Sequence, residues 1–497
     1  MSDMRGIDTL VRQRRRRVFE EVARLAFESK NLKDDMEALP YKIVDYDESE
    51  YWESVYRDRS IVRERIRLAM GMSLRPENRD HPGHLTEGLE ESDIAEKYYE
   101  PPLMQVIPSA CNACPVNQYY VTDACMGCLA HPCQEVCPKG AISFVHGKSV
   151  IDQEKCIKCG KCQKICPYDA ICHKERPCKA ACGVDAIESD KLGRAKINSD
   201  KCVSCGMCMV SCPFGAIADK SQIFQLIRAM QSGEVIIAQV APAFAGQFGP
   251  NVTPDMLKTA LKELGFADVY ETAIGADLGC MAEAEHYVKE VATGRQSFAL
   301  TSCCPSWSVM AKNLFPETID KISNELTPMV ATARIIKEEH PEAHVVFIGP
   351  CASKKLEASR RTIRSDVDFV ITFEELTGMF KAKGILLDEI NAMDELKGAT
   401  SAGRGYGVAG GVASAIQDCI NTYYPGTPIH VEHAEGLSDC KKVLMLAKAG
   451  KMNGCLIEGM ACPGGCIAGA GTNLPIAGAA KEVAKFKDSA ITKVPKP

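Results

Sequence analysis

The sequence predicts an α/β domain with parallel sheets in two lobes over its second half, preceded by two small cysteine-rich α+β modules and an N-terminal helical segment. Three observations predict this. Apolar strand-like runs alternate with helical stretches after about residue 223, seventeen cysteines crowd into residues 111–212, and residues 1–100 contain no cysteine. The expected divisions are therefore 1–100, 101–222 and 223–497.

At 497 residues the chain is long enough for several domains with a real core. Hydrophobic content of 46% and charge of 25% are ordinary for a globular protein, and a formal charge of -6 gives no nucleic-acid or anionic-membrane signature. The 26 cysteines are anomalous. The start Met1-Ser2-Asp3-Met4-Arg5 has no apolar signal-peptide region, so the expectation is a metal-rich cytoplasmic chain rather than a disulfide-rich secreted one. No uncharged apolar run approaches the ~18–20 residues that span a bilayer. Neither nucleic acid nor membrane is an expected partner.

In the first segment Val18, Val22 and Leu25 recur at helical spacing, as do Val62, Ile66 and Met70 within Ile61 to Met72. The run Arg14-Arg15-Arg16-Arg17 is followed at once by Glu20 and Glu21, with no aromatic interleaving, and reads as a solvated helix face. Pro76, Pro82, Pro101 and Pro102 punctuate a linker.

The cysteine-rich region has ordered spacing. Cys156, Cys159, Cys162 and Cys166 before Pro167 form a C-x2-C-x2-C-x3-C-P run, as do Cys202, Cys205, Cys208 and Cys212 before Pro213. Cys125, Cys128, Cys133 and Cys137 before Pro138 form a variant of it. Such runs bind 4Fe-4S clusters, and the fourth cysteine of each serves the cluster of its partner run. Cys137 precedes Cys166 by 29 residues and Cys182 precedes Cys212 by 30, which predicts two tandem ferredoxin-like modules. One module would hold Cys125, Cys128, Cys133 and Cys166, together with Cys156, Cys159, Cys162 and Cys137. The other would hold Cys202, Cys205, Cys208 and Cys182, and an incomplete set of Cys172, Cys178 and Cys212. For that set Asp169 ligates, or a thiol of Cys111-x2-Cys114 does, or the cluster is lost; a cluster with an odd ligand is the preferred reading. Three to four accessory 4Fe-4S clusters are thus expected. Zinc ribbons are the weaker alternative, because zinc sites use two separated cysteine pairs.

In the second half, Val235 to Val240 and Val367 to Thr372 read as strands and Thr253 to Leu264 as a helix. Three further strand-like runs, Phe298 to Leu300, Val345 to Ile348 and Cys455 to Ile457, each lead into a cysteine loop. The loops are Thr301-Ser302-Cys303-Cys304-Pro305-Ser306-Trp307, Ile348 to Glu357 around Cys351, and Glu458 to Gly471 around Cys462 and Cys466. Thiols at strand ends lie where open α/β sheets place their chemistry, and four soft ligands there suggest an iron–sulfur cluster. Cys280, Cys419, Cys440 and Cys455 have no motif partners and are expected as buried small hydrophobes.

These loops resemble the signature loops of the iron-only (di-iron) hydrogenases, in that order and at similar separations, over roughly residues 223–480. The resembled form has ferredoxin-like modules and no N-terminal 2Fe-2S domain. The resemblance implies an H-cluster, a 4Fe-4S cubane joined to a two-iron unit with CO, cyanide and azadithiolate. Cys304, Cys351, Cys462 and Cys466 match the cubane ligands, the last bridging to the two-iron unit. Cys303 matches the proton-handing thiol, Lys354 the lysine that binds a cyanide, and Met460 the methionine beside the irons. Glu283 and Ser323 match members of an outward proton path, and His286 stands where a second glutamate is usual. Gly349 and Met329 replace a usual methionine and glutamine. The implied function is ferredoxin-hydrogenase activity, the reversible reduction of protons to dihydrogen. Ferredoxin or a similar small carrier is the implied electron partner, and di-iron maturation enzymes are implied as well. The rival class is a non-catalytic relative in iron–sulfur assembly or dihydrogen sensing.

Overall fold

The computed structural model describes residues 4, 6–46, 54–76, 83–364 and 366–497. Met1, Ser2, Asp3 and Arg5 of the start sequence and Pro82 of the linker lie outside the described residues.

The Thr9 hydroxyl accepts from the Arg12 amide and opens a helix over Leu10–Glu28. Val18, Val22 and Leu25 are buried along one face of it, and its main partner is the helix Phe373–Lys383. Two further helices, Leu32–Ile43 and Val55–Ala69, pack beside it. The four-arginine run departs from the expected solvated face. Arg14 pairs with Asp58 at 2.5 Å, and Arg15 pairs with the buried Glu374, which also lies 2.8 Å from Arg12 Nε. Only Arg17 keeps to its own helix, beside Glu20 and Glu21. The reason is electrostatic: a buried carboxylate without cations is costly, and Glu374 draws this face onto the second half of the chain.

Eight short strands build the cysteine-rich region: β1 (Met104–Val106), β2 (Asn117–Val121), β3 (Ile142–Val145), β4 (Lys148–Ile151), β5 (Ile171–Glu175), β6 (Ile187–Ser189), β7 (Ala195–Ile197) and β8 (Ile217–Asp219). They pair antiparallel as β1 with β8, β2 with β5, β3 with β4 and β6 with β7. The pattern is that of two 4Fe-4S ferredoxin-like domains, each a hairpin plus a closing pair of outer strands. The closing pair β1/β8 brackets the whole region, and β2/β5 brackets residues 117–175 within it.

Seven strands follow: β9 (Ile236–Val240), β10 (Asp268–Glu271), β11 (Ala299–Leu300), β12 (His344–Gly349), β13 (Phe369–Thr372), β14 (His430–Glu435) and β15 (Cys455–Met460). One sheet has the order β10-β9-β12-β13 and the other β11-β15-β14, and every pairing in them is parallel. All five residues of β9 are buried, as expected for a strand covered on both faces by crossover helices. β11 and β15 of one sheet and β12 of the other deliver the three cysteine loops. No helix among the described residues is long and apolar enough to cross a membrane.

Candidate metal-cluster site

The three loops meet at one cavity with about 750 Å³ of empty space, lined by Cys303, Cys304, Cys351, Cys462 and Cys466 together with Lys354 and Met460. The remaining wall is mostly apolar and includes Ala241, Phe347 and the buried Met329. Close backbone approach shapes it. A Cβ on Gly469 would lie 2.4 Å from the Pro350 carbonyl oxygen, and one on Gly465, at φ +87°, would lie 2.4 Å from the Ala409 amide nitrogen. At Gly349 the space that a side chain would take is filled by the Phe347 ring, 2.5 Å from an ideal Cβ.

Burial is the main cause of a raised pKa at each of these thiols. Cys351 is pushed up to about 11 and Cys466 to about 12, with the neighbouring Cys304 adding to both and Lys354 opposing. Cys462 and Cys303 are pushed well above the thiol range. Thiols so crowded become thiolates when a cation neutralises them, which is the chemistry of an iron–sulfur donor set. Among the described residues no three His, Cys, Asp or Glu side chains are arranged to hold a single metal ion, so the fit rests on the soft donors around this cavity. Lys354 Nζ also fits an anionic group: it is buried 2.6 Å from Glu357 Oε2, yet neither atom has a well-directed hydrogen bond.

Behind Cys303 lies Glu283, on the helix Ala273–His286. Burial raises its carboxyl to about 7 against the pull of a Ser323 hydrogen bond, and its Oε2 is buried without a partner. The charge of Glu283 in turn acts on Cys303. Ser323 is half-buried, and its hydroxyl accepts from the amide of the exposed Glu325 at 3.2 Å. His286 ends the same helix, exposed, while Glu283 faces inward.

Two residues to which the sequence assigned no role stand here. Tyr406 lines the cavity, its hydroxyl held far above the usual range by burial and by the charges of Cys280, Glu283 and Cys303. Glu458 is buried at the start of the helix Gly411–Tyr423, accepting from the Gly410 and Ala413 amides at 2.8 Å each. The flanking glycines of Tyr406 and the place of Glu458 at a strand end were the available signals. Cys280, Cys419 and Cys440 are fully buried, and Cys455 is partly so.

The cysteine-rich region reaches this cavity through Val203. Its carbonyl accepts from Ser306 Oγ at 3.0 Å and Ser353 Oγ at 3.3 Å, one residue from each of two cavity loops. Cys205 beside it is buried, with Cys182, Cys202 and Cys304 all acting on its thiol, and Cys208 feels Cys205, Cys202 and Cys182. Farther out, Cys133, Cys137, Cys156, Cys162 and Cys166 share one apolar cluster, and Ser149 hydrogen-bonds both Cys125 and Cys133. Cys178 is surrounded by Cys212, Cys111 and Cys114, whereas Cys172 sits within β5 opposite Tyr120. Cys128 lies on the exposed side of the first module, as does Cys159 beyond β2.

Comparison with known proteins agrees with these features. Residues 234–470 match the family described as the C-terminal domain of the iron only hydrogenase large subunit, and residues 148–171 and 195–218 each match a 4Fe-4S binding domain. The chain is 28% identical to the periplasmic [Fe] hydrogenase large subunit of Nitratidesulfovibrio vulgaris, covering 65% of this chain and 85% of that one. It is 29% identical to iron hydrogenase 1 of Clostridium pasteurianum, covering 67% of each. It is also 25% identical to cytosolic iron-sulfur assembly component 3 of Bos taurus, over 48% of this chain and 62% of that one. An apo [FeFe]-hydrogenase structure from Chlamydomonas reinhardtii aligns with a TM-score of 0.43 at 23% identity, over 52% of this chain and 84% of that one. With three thiol loops meeting in the matched domain and 4Fe-4S domains ahead of it, the chain belongs to the iron-only hydrogenase family.

Proposed function

We propose that the chain catalyses the reversible reduction of protons to dihydrogen. Cys304, Cys351, Cys462 and Cys466 would hold the cubane of an H-cluster, and accessory 4Fe-4S clusters would carry electrons from or to ferredoxin or a similar carrier. The observation that carries this is Cys303 in a cavity whose other four thiols already suffice for a cubane, with Glu283 acting on it from behind. When bound, the two-iron unit supplies the electron exchange with protons and dihydrogen.

The chain's own residues supply the rest. Cys303 Sγ, held protonated by burial, donates a proton into the cavity and is recharged by Glu283. A carboxyl near 7 is close to half-protonated at neutral pH, so Glu283 gives and accepts protons at similar cost. Ser323 links it toward the exposed Glu325, and His286 is a second candidate outlet. Lys354 Nζ orients an anionic ligand of the group, and Met460 with the apolar wall keeps water away from it. Di-iron maturation enzymes would install the two-iron unit, and a cytoplasmic location goes with this chemistry.

The bovine iron-sulfur assembly relative supports a second reading, in which the domain is non-catalytic. That reading gives no task to Cys303, Glu283 or Lys354. Infrared spectra of the chain co-produced with di-iron maturation proteins separate the two. CO and cyanide bands, with dihydrogen evolved from a reduced dye, are expected here; absence of both would leave the assembly reading.

A further inference from the structure

The set built on Cys178 and Cys212 lacks a fourth ligand when its members are sought between Cys166 and Cys212, and backbone geometry locates the missing ones. In three runs the residue before the second cysteine turns left-handed: Gly127 at φ +58°, Lys158 at +59° and Ser204 at +54°. Ala113, between Cys111 and Cys114, does the same at +44°. A Cβ-bearing residue holds that conformation only where its surroundings impose it. Cys111-Asn112-Ala113-Cys114 is therefore a fourth loop of the same kind, detached from its run.

The rest of that run lies beyond an excursion. Pro132 and Pro177 each open a short helix, carrying Cys133-x3-Cys137 and Cys178-x3-Cys182 respectively. Cys111, Cys114, Cys178 and Cys182 thus form one run interrupted by residues 115–177, whose ends are zipped together by β2 and β5. Arg176, 3% exposed, closes the base of this excursion: its Nε and Nη2 donate to the Cys114 carbonyl at 2.9 and 2.7 Å, and its amide donates to Val116. Backbone amides donate to Cys111 Sγ at 3.3 Å and Cys212 Sγ at 3.4 Å, as they do to Cys137 at 3.3 Å and Cys182 at 3.2 Å. Asp169 has another duty. Three residues after a fourth cysteine, Gly140, Asp169, Asp185 and Gly215 all turn left-handed, and each donates its amide to that cysteine's carbonyl. Cys172 lies in mid-strand, paired with Tyr120.

We propose that Cys111, Cys114, Cys178 and Cys212 bind a complete fourth accessory 4Fe-4S cluster, assembled across the excursion, and that Asp169 and Cys172 are not ligands. The cluster lies between the first module and the Cys182, Cys202, Cys205 and Cys208 set, since Cys178 also acts on Cys208 and Tyr119 of β2 feels Cys162, Cys159 and Cys156. As a relay it accepts one electron from one neighbour and passes one to the next, so no further reactant is required.

The inference rests on the 4Fe-4S part of the proposed function and not on catalysis, so its test uses the full chain produced without maturation proteins. Iron, sulfide and the EPR spectrum of the dithionite-reduced protein are compared among variants. Cys114→Ala should lose about four irons, or about one if a three-iron remnant persists, and lose one reduced-cluster signal. The Asp169→Ala/Cys172→Ala double variant, altered at positions outside the core, should keep full iron and an unchanged spectrum. Full iron in Cys114→Ala, or loss of one cluster from the double variant, would overturn the assignment. If Cys114→Ala fails to fold, the double variant still decides. Missing infrared bands in the matured protein would remove the catalytic reading and leave this one standing.

Discussion

Burial alone is enough to move Glu283 from a surface-like carboxylate to a group that titrates at about 7, and this has a consequence for stability as well as for turnover. The unfolded chain releases the proton near 4.5 and the folded chain near 7, so the folded state binds it more tightly. Stability contributed by this site is therefore fully present below about 4.5, falls as pH rises through the window, and is lost above about 7, a cost of up to roughly 3 kcal/mol. Glu283→Gln carries no charge and should gain stability relative to wild type between pH 4.5 and 7 while losing most turnover. Denaturation midpoints of both chains at the two ends of the window test this, and a constant difference would refute the burial argument. Cys303→Ala, in contrast, should keep the infrared bands of the assembled site and lose at least about 90% of turnover, since in this reading the thiol moves protons and holds no metal. Near wild-type evolution would place the proton path elsewhere. Cys304, Cys351, Cys462 and Cys466 were legible because each sits in a short motif of fixed spacing. Tyr406 and Glu458 were not, because their relation to the cavity arises only when the helix Gly411–Tyr423 packs against β15.

Local elements were legible where burial dictates composition. β9, β12 and β13 are buried nearly throughout and read as continuous apolar runs. β14, an edge strand with mostly exposed residues, reads His-Val-Glu-His-Ala-Glu and gives no strand signal, since polar edges are how sheets avoid pairing with other chains. The helix Leu32–Ile43 was hidden by Pro40 within it, and the basic run of the first helix misled because its partner Glu374 is over three hundred residues away. Long-range charge also joins elements elsewhere. Lys355, 1% exposed on the helix Ser353–Ala358, bonds Asp219 of β8 at 2.7 Å and Glu375 at 2.8 Å, tying the 4Fe-4S domains to the cavity loop that carries Cys351. Lys355→Met leaves two carboxylates buried without their cation and should cost roughly 3–5 kcal/mol. A lowered unfolding midpoint and faster iron loss are expected, with Asp219→Asn in the same chain restoring part of the deficit. An unchanged midpoint would mean that solvent reaches this site.

Across the whole molecule the cysteine sets form a line that ends at the cavity. The module of residues 117–175 lies outermost, the Cys111, Cys114, Cys178 and Cys212 set follows, and the Cys182, Cys202, Cys205 and Cys208 set abuts Cys304 and Cys462. Cys205 is the member in direct electrostatic contact with both cavity thiols, and the Val203 carbonyl beside it holds two cavity loops by their serines. Electrons and protons would thus approach from different sides, the protons along Glu283 and Ser323. This separation permits a test in which one supply is cut and the other left. Dihydrogen evolution from an external donor needs both electrons and protons, whereas isotope exchange between dihydrogen and solvent deuterons needs protons but no net electrons. Cys205→Ala should disable the nearest relay and lower evolution driven by reduced ferredoxin by about tenfold or more. Exchange should stay within about twofold of wild type, provided that the infrared bands show the catalytic site intact. Equal loss of both rates with intact bands would mean that Cys205 acts on the chemistry itself. Equal retention of both would mean that electrons reach the cavity by a route that bypasses this set.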